Sequence, residues 1–357
     1  MVIFLMNVTH YYAYELKQFA CNGSPLLASR RYNEVAYATT HNGQSYKNSL
    51  VQNQDRTITE QLEAGIRAIK IPLWYDAQNC LCACHGMSKL LFDSMHEQAL
   101  LDQIPIFFRS KARKFLDTVR PAITVMQDAL HVAYGNNDGQ QGLIPFPHGM
   151  FDPACQPFKN ICVEVRKFLE THSHEIVTFI LENFTDNLAL IAADIQESGL
   201  LDYVHTQDIQ KPWPTLRELV RSQKRMIIFV SSGDKGRFLE YPWLMSLWDF
   251  AWDTRFNFTR IADFAYDCLP NRGKNAYEQR ASVPHNKLFI VYHFITPFAG
   301  GSKSWAKRVN RVSVLKKRLQ KLAQKTGHIP NFVQVDFFEY PHNDIFKVIN
   351  CLNGVNM

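Results

Sequence analysis

Apolar residues along this chain fall into short runs bounded by polar and turn-forming residues, and the runs alternate with stretches of helical period. Strands are predicted at Val35 to Thr39, Ile66 to Trp74, Ile176 to Glu182, Met226 to Ser231, Leu288 to Ile295 and Phe332 to Phe338. Between them, "TITEQLEAG" opens with a capping box, Thr57 with Glu60, and closes on Gly65. "NICVEVRKFLETH" puts Ile161, Val165, Phe168 and Leu169 on one face, and "VLKKRLQKLAQKTG" does the same with Leu315, Leu319 and Leu322. Such alternation implies a largely parallel sheet, and about eight such units in one domain close a TIM-type (β/α)8 barrel. The expected architecture is therefore an α/β, TIM-like barrel, regular or not, spanning residues 1–357 as a single domain.

Side-chain phase within the strands says where chemistry can sit. In "IRAIKIPLW", Ile69, Ile71 and Leu73 suit an outer face under helices, which turns Ala68, Lys70 and Pro72 inward. In "IVTFILE" the set Val177, Phe179 and Leu181 leaves Glu182 on the other side, and in "FVQVDFF" the set Val333, Val335 and Phe337 leaves Gln334 and Asp336 there. "VAYATTHNG" ends its apolar run on Thr39, Thr40, His41 and Asn42, polar groups at the strand's mouth, where barrels hold their ligands. An isolated buried charge is costly, so Lys70, Glu182 and Asp336 are expected to face one another, His41 and a ligand. Phase alone supports a structural ion-pair cluster equally well.

Composition narrows the choice. The 357 residues are 46% hydrophobic, enough to bury a large core, and 39 Lys+Arg against 33 Asp+Glu give a net charge of +6. That mild bias favours an anionic surface as partner and does not call for nucleic acid. "MVIFLMNVTHYY" has no basic leader and too short an apolar run for a signal sequence, so no signal peptide or membrane span is expected, and the protein reads as soluble or peripheral, with export by a signal-less route left open. Eight cysteines are too few for a disulfide scaffold in so long a chain, and reduced thiols are expected. The sharper alternative is a zinc site on Cys80, Cys82, Cys84 and His85 of "CLCACH", which lacks the second Cys knuckle that structural zinc takes.

The motifs "CNGSPLLASRRYNEVAYATTHNGQSY", "NQDRTITEQLEAGIRAIKI", "CHG" and "EVRKFLETHSHEIVTFILENF", in that order and spacing, resemble the X-domain core of phosphatidylinositol-specific phospholipase C and its wider family of PLC-like phosphodiesterases. "WPTLRELVRSQKRMIIFV", "AWDT", "NRG" and "VYHFITP" resemble the second half of members outside the classical signalling enzymes, so the likeness covers most of the chain. It implies a TIM-like barrel that cleaves a phospholipid headgroup, of phosphatidylinositol type, with two histidines across the phosphodiester. One deprotonates the hydroxyl beside the phosphate and the other protonates the leaving oxygen. By motif position these are His41 and His85, and His148 of "PFPHGMF" is the rival to His85. Placing the acid at His85 makes residues 88–148 a helical insertion. Within it, "IPIFFRSKARKFLDTVRP" mixes aromatic and basic residues in a way that suits an anionic lipid surface or a hairpin on the barrel rim.

Two departures from the family pattern bear on cofactors. Calcium-dependent members carry two carboxylates on the strand that here reads "AIKIPL", where this chain has Lys70 and Pro72; calcium-independent bacterial members carry an arginine at the position of Pro72. The expectation is no cofactor, with Lys70 supplying the positive charge at the phosphate and Asp336 orienting His41. Were calcium used, Asn42 and Glu182 would be its ligands. Asn42, Glu182, Lys224 and His293 complete the expected substrate-binding set. The competing readings are a headgroup-binding module of the same fold without turnover, and a metal-dependent phosphodiesterase built on the cysteine segment. No feature of the sequence sets an oligomeric state.

Overall fold

The computed structural model describes residues 19–46, 52–75, 81–83, 156–185, 187–231, 236–256, 258, 260–265, 270–273, 286–296 and 301–355. Eight strands run parallel in one curled sheet: β1 (Tyr37–Thr40), β2 (Ala68–Tyr75), β5 (Val177–Asn183), β6 (Met226–Ser231), β7 (Met245–Ser246), β8 (Ala251–Asp253), β9 (Leu288–Tyr292) and β10 (Phe332–Val335). Their spatial order is β7-β6-β5-β2-β1-β10-β9-β8, the chain order of a (β/α)8 barrel, with no ladder between β7 and β8 among the described residues. β3 (Leu81–Ala83) and β4 (Gln156–Pro157) extend β2 as an antiparallel flap. In β3, Cys82 is buried opposite Trp74.

Helices cover the outside as their periodicity demands. α1 (Ile58–Ala64) has the Thr57/Glu60 capping box, and Gly65 ends it at φ 111°, a left-handed conformation that a side chain resists. α2 (Phe158–Thr171) and a later helix, Val312–Thr326, bury the apolar stripes read from the sequence. Their side chains share one core with Ile69, Ile71, Leu73, Val177, Phe179, Leu181, Val333 and Val335, so the outward phase of β2, β5 and β10 is as expected.

The barrel interior is graded along its axis. Near the amino ends of the strands it is plugged by aromatics: Tyr32 lies 4.7 Å from Trp213, Tyr37 5.7 Å from Phe332, and Ala68, Ile180 and Phe229 fill the space around them. Toward the carboxyl ends the inward positions become polar, Ala68 giving way to Lys70, Ile180 to Glu182, and Phe332 to Gln334 and Asp336. Apolar burial below stabilises the curled sheet and leaves the upper end to chemistry.

Two expected strands are shorter than their apolar runs. The ladder of β10 stops at Val335, because Phe337 adopts φ 45° and turns the chain, which sets Asp336 on the bend; β9 stops at Tyr292. β7 and β8, at two and three residues, are too short for periodicity to mark.

Candidate active site

His41, one residue past β1, donates or accepts through Nδ1 at 2.8 Å to Oδ1 of Asp336. Its backbone is pinned from two sides, the amide donating to the Val335 carbonyl and the carbonyl accepting from Gln54 Nε2 at 2.9 Å. The ring stacks face to face on Phe294, centroids 3.9 Å apart and planes within 5°. With Nδ1 committed to Asp336, Nε2 is the nitrogen left for proton transfer. Asn53 Nδ2 also donates to Asp336 Oδ1, at 2.9 Å, and Asn53 Oδ1 accepts from Asn42 Nδ2 at 3.2 Å.

Lys70 projects inward from β2, as its phase requires, and its Nζ lies 2.6 Å from Glu182 Oε2 and 3.2 Å from Asn42 Oδ1. The pair is largely buried, with side-chain exposures of 8% and 19%. Burial opposes charge on Glu182, but Lys70, and behind it Arg272, hold its carboxyl below the usual range. Asn42 takes φ 47°, which asparagine tolerates better than most residues, and so reaches both Lys70 and Asn53.

Electrostatics in the mouth favour uncharged forms of the histidine and its partner. Burial, reinforced by the positive charge of Lys70, holds His41 well below the ordinary imidazole range. Burial also pushes Asp336 up to about 8, against the opposing pull of the Asn53 hydrogen bond and Lys70. A carboxyl raised on folding binds more protons folded than unfolded. Its contribution to stability is therefore present below the unfolded pKa and is lost as pH rises toward 8, by up to about 1.4 kcal/mol per pH unit. Asp336→Asn removes that titration, so the melting temperature of the variant relative to the native protein should climb steadily between pH 5 and pH 8. A difference that stays flat over that interval would contradict a raised Asp336.

The structure thus brings together His41, Asp336, Lys70, Glu182 and Asn42, and it sets two expected residues apart. Lys224 precedes β6 at the amino end of the barrel, its Nζ donating to the Asp202 carbonyl at 2.7 Å, far from the mouth. His293 is fully buried and held by the Val309 carbonyl and Arg318, with Phe264 stacked on it; burial and the Arg318 charge push it down to about 3. Packing holds it on the outer side of β9, and neither residue lies with the group at the mouth. His85, His148, the 88–148 segment and three members of the proposed zinc cluster, Cys80, Cys84 and His85, lie outside the described residues. No group of three or more metal-ligating side chains converges among the described residues.

Sequence reasoning missed a second cation at the mouth. Asp253, fully buried at the end of β8, accepts from the backbone N–H and the Nε of Arg272 at 2.7 and 2.8 Å, and Arg272 Nη2 reaches Tyr292 Oη at 2.7 Å. The guanidinium packs over Trp248 and Phe256. The motifs "AWDT" and "NRG" were the available signal; their pairing across 19 positions carries no periodicity. Asn53 was missed too, because an asparagine in a polar loop looks like any turn residue.

A family model described as PI-PLC X 1 matches residues 27–133 and 152–353. The chain is 25% identical over 351 residues to PI-PLC X domain-containing protein 1 of Arthroderma benhamiae, covering 94% of this chain and 90% of that one. It is 21% identical to an uncharacterized secreted protein of the same organism, across 94% of this chain and 64% of that one. A PI-PLC X domain-containing protein of Arabidopsis thaliana is also 21% identical, and the chain spans 62% of its length. Among solved structures, a phosphatidylinositol-specific phospholipase C of Staphylococcus aureus superposes with a TM-score of 0.52 at 12% identity, over 92% of this chain and 95% of that one. The enzyme of Listeria monocytogenes gives 0.50 at 13%, over 92% and 96%. At these identities the structural likeness speaks for the fold.

Proposed function

Because the chain belongs to the PI-PLC X domain family, we propose that it is a phosphodiesterase that cleaves the headgroup of a phospholipid of inositol type by general acid–base catalysis. The observation that carries this reading is the His41–Asp336 pair set beside Lys70 at the carboxyl ends of the strands. In it, His41 Nε2 takes the proton of the headgroup hydroxyl next to the phosphate, and that oxygen attacks phosphorus. Asp336 holds the ring and stabilises the imidazolium as it forms. Lys70 Nζ offsets charge on the non-bridging oxygens. His85, by its motif position, returns a proton to the departing lipid oxygen.

A membrane surface as the place of action has support from the rim. Phe184 directly follows β5 and Phe256 closely follows β8, and they are 47% and 44% exposed at the end where a lipid would enter. Phe184 stacks on Trp74 at 4.1 Å. No helix among the described residues is long and apolar enough to cross a membrane.

Calcium does not fit this donor set. The two family-type oxygens, of Asn42 and Glu182, converge on an ammonium group, and a divalent cation between them would meet Lys70 at contact distance without the six or more oxygens it takes. No step is assigned to a metal. The test is a headgroup-release assay across phosphoinositides, phosphatidylcholine and sphingomyelin, with and without chelator. Release from inositol lipids that persists in EDTA is the expected result, and complete loss restored by calcium would overturn the metal-free reading. Headgroup binding without release from any lipid would favour the second reading, a recognition module, for which the replacement of carboxylates by Lys70 and Pro72 is the motivating observation.

A further inference from the structure

We propose that Asn53 is a positioning residue that fixes which nitrogen of His41 carries the proton. Asn53 Nδ2 lies 2.9 Å from Asp336 Oδ1 and 3.4 Å from His41 Nδ1, so its stronger bond is to the carboxyl oxygen that also meets the ring. A hydrogen bond from an amide favours the ionised form of the carboxyl, the direction in which Asn53 pulls Asp336, and once Asp336 is ionised the bond to His41 runs from Nδ1–H to Oδ1. Nε2 is left with its lone pair, the form a general base requires. Without that amide the carboxyl, buried and with Oδ2 lacking any partner among the described residues, holds its own proton more tightly. It then donates to Nδ1, and the ring proton moves to Nε2, where it blocks the base.

The loop is built to deliver this one donor. The Asn53 backbone is tied at both ends, its N–H to the Ser45 carbonyl at 2.9 Å and its carbonyl to the Phe337 N–H at 2.7 Å, next to Asp336 in sequence. The amide cannot turn over without facing an NH2 group toward Asn42 Nδ2 and an oxygen toward a carboxyl. Its orientation therefore also sets Asn42, whose Oδ1 is left to accept from Lys70. A single buried side chain, 1% exposed, in this way aligns the proton acceptor and the cation.

The importance of Asn53 for turnover rests on His41 being the base, whereas the tautomer is measured apart from it. In protein labelled with 15N-histidine, ring nitrogen shifts at pH 9 should show His41 protonated at Nδ1 in the native chain and shifted toward Nε2–H in Asn53→Leu. Headgroup release should fall about 100-fold or more in kcat with little change in KM. Should Asn53→Leu not fold, Asn53→Thr and Asn53→Val are nearly isosteric and differ by one donor: Thr should keep more of the Nδ1–H form than Val. Asn42→Ala, which leaves the Asn53–Asp336 bond intact, should not move the tautomer. An unchanged Nδ1–H signal in Asn53→Leu, or equal tautomer populations in the Thr and Val variants, overturns the assignment. A tautomer shift in a chain that releases no headgroup from any lipid would uphold the structural role and count against the proposed function instead.

Discussion

Replacing Lys70 by Met should lower headgroup release by about 100- to 1,000-fold, the scale on which a preorganised donor to developing charge acts, while keeping the bulk of the stem. The same change leaves Glu182 without its nearest partner, and breaking a fully buried pair from one side costs about 3–5 kcal/mol. The cost here should be smaller, since Glu182 is 19% exposed and Arg272 lies close enough to stabilise its charge. Lys70→Met with Glu182→Gln separates the two effects. The double variant removes the stranded charge and should recover most of the melting temperature without recovering turnover. Lys70→Arg should keep part of the activity. A Lys70→Met protein as stable as the native chain and undiminished in release would sink the catalytic assignment, and full recovery of activity in the double variant would do the same.

His41→Ala should reduce turnover by about 100- to 10,000-fold with the fold intact, the usual scale for losing a general base. Its ring contributes a stack on Phe294 and one bond to Asp336, so the variant loses contact area at the barrel's polar end while the aromatic plug below stays whole. His85→Ala should fall by a similar factor because the leaving oxygen loses its proton donor. His148→Ala should fall far less. Single-turnover rates at matched pH, with melting curves as the control for folding, decide among the three. Loss of activity in His148→Ala but not in His85→Ala would transfer the acid to His148. Near-normal release by His41→Ala would remove the mechanism altogether.

Most of the barrel could be read from side-chain phase, and the reason is physical. A strand covered by helices outside and by aromatics inside must repeat every two residues, and any charge it carries must go to the one end where a partner waits. That rule puts Lys70, Glu182 and Asp336 on a common side from the sequence alone. Lys224 and His293 carry no inward phase: one lies beneath the barrel and the other in the packing behind β9. The same rule could not find Asn53 or the Asp253–Arg272 pair, because both depend on loops returning across many residues to meet a strand end, and no local period records such a return.

The grading of the barrel interior divides labour among single side chains. β5 and β8 each contribute one carboxylate to the upper row, Glu182 and Asp253, and β10 contributes Gln334 and leads into Asp336, so the polar lining can change one side chain at a time above an unchanged aromatic floor. Such modularity explains how a common scaffold survives when its ionic lining is rewritten. Lys70 is the exception. It is registered opposite Ile180, a full row beneath Glu182, and sends its ammonium upward to meet that carboxylate. Its stem belongs to the floor and its charge to the chemistry, so a substitution at this one position changes the packing of the barrel and the charge of the site together.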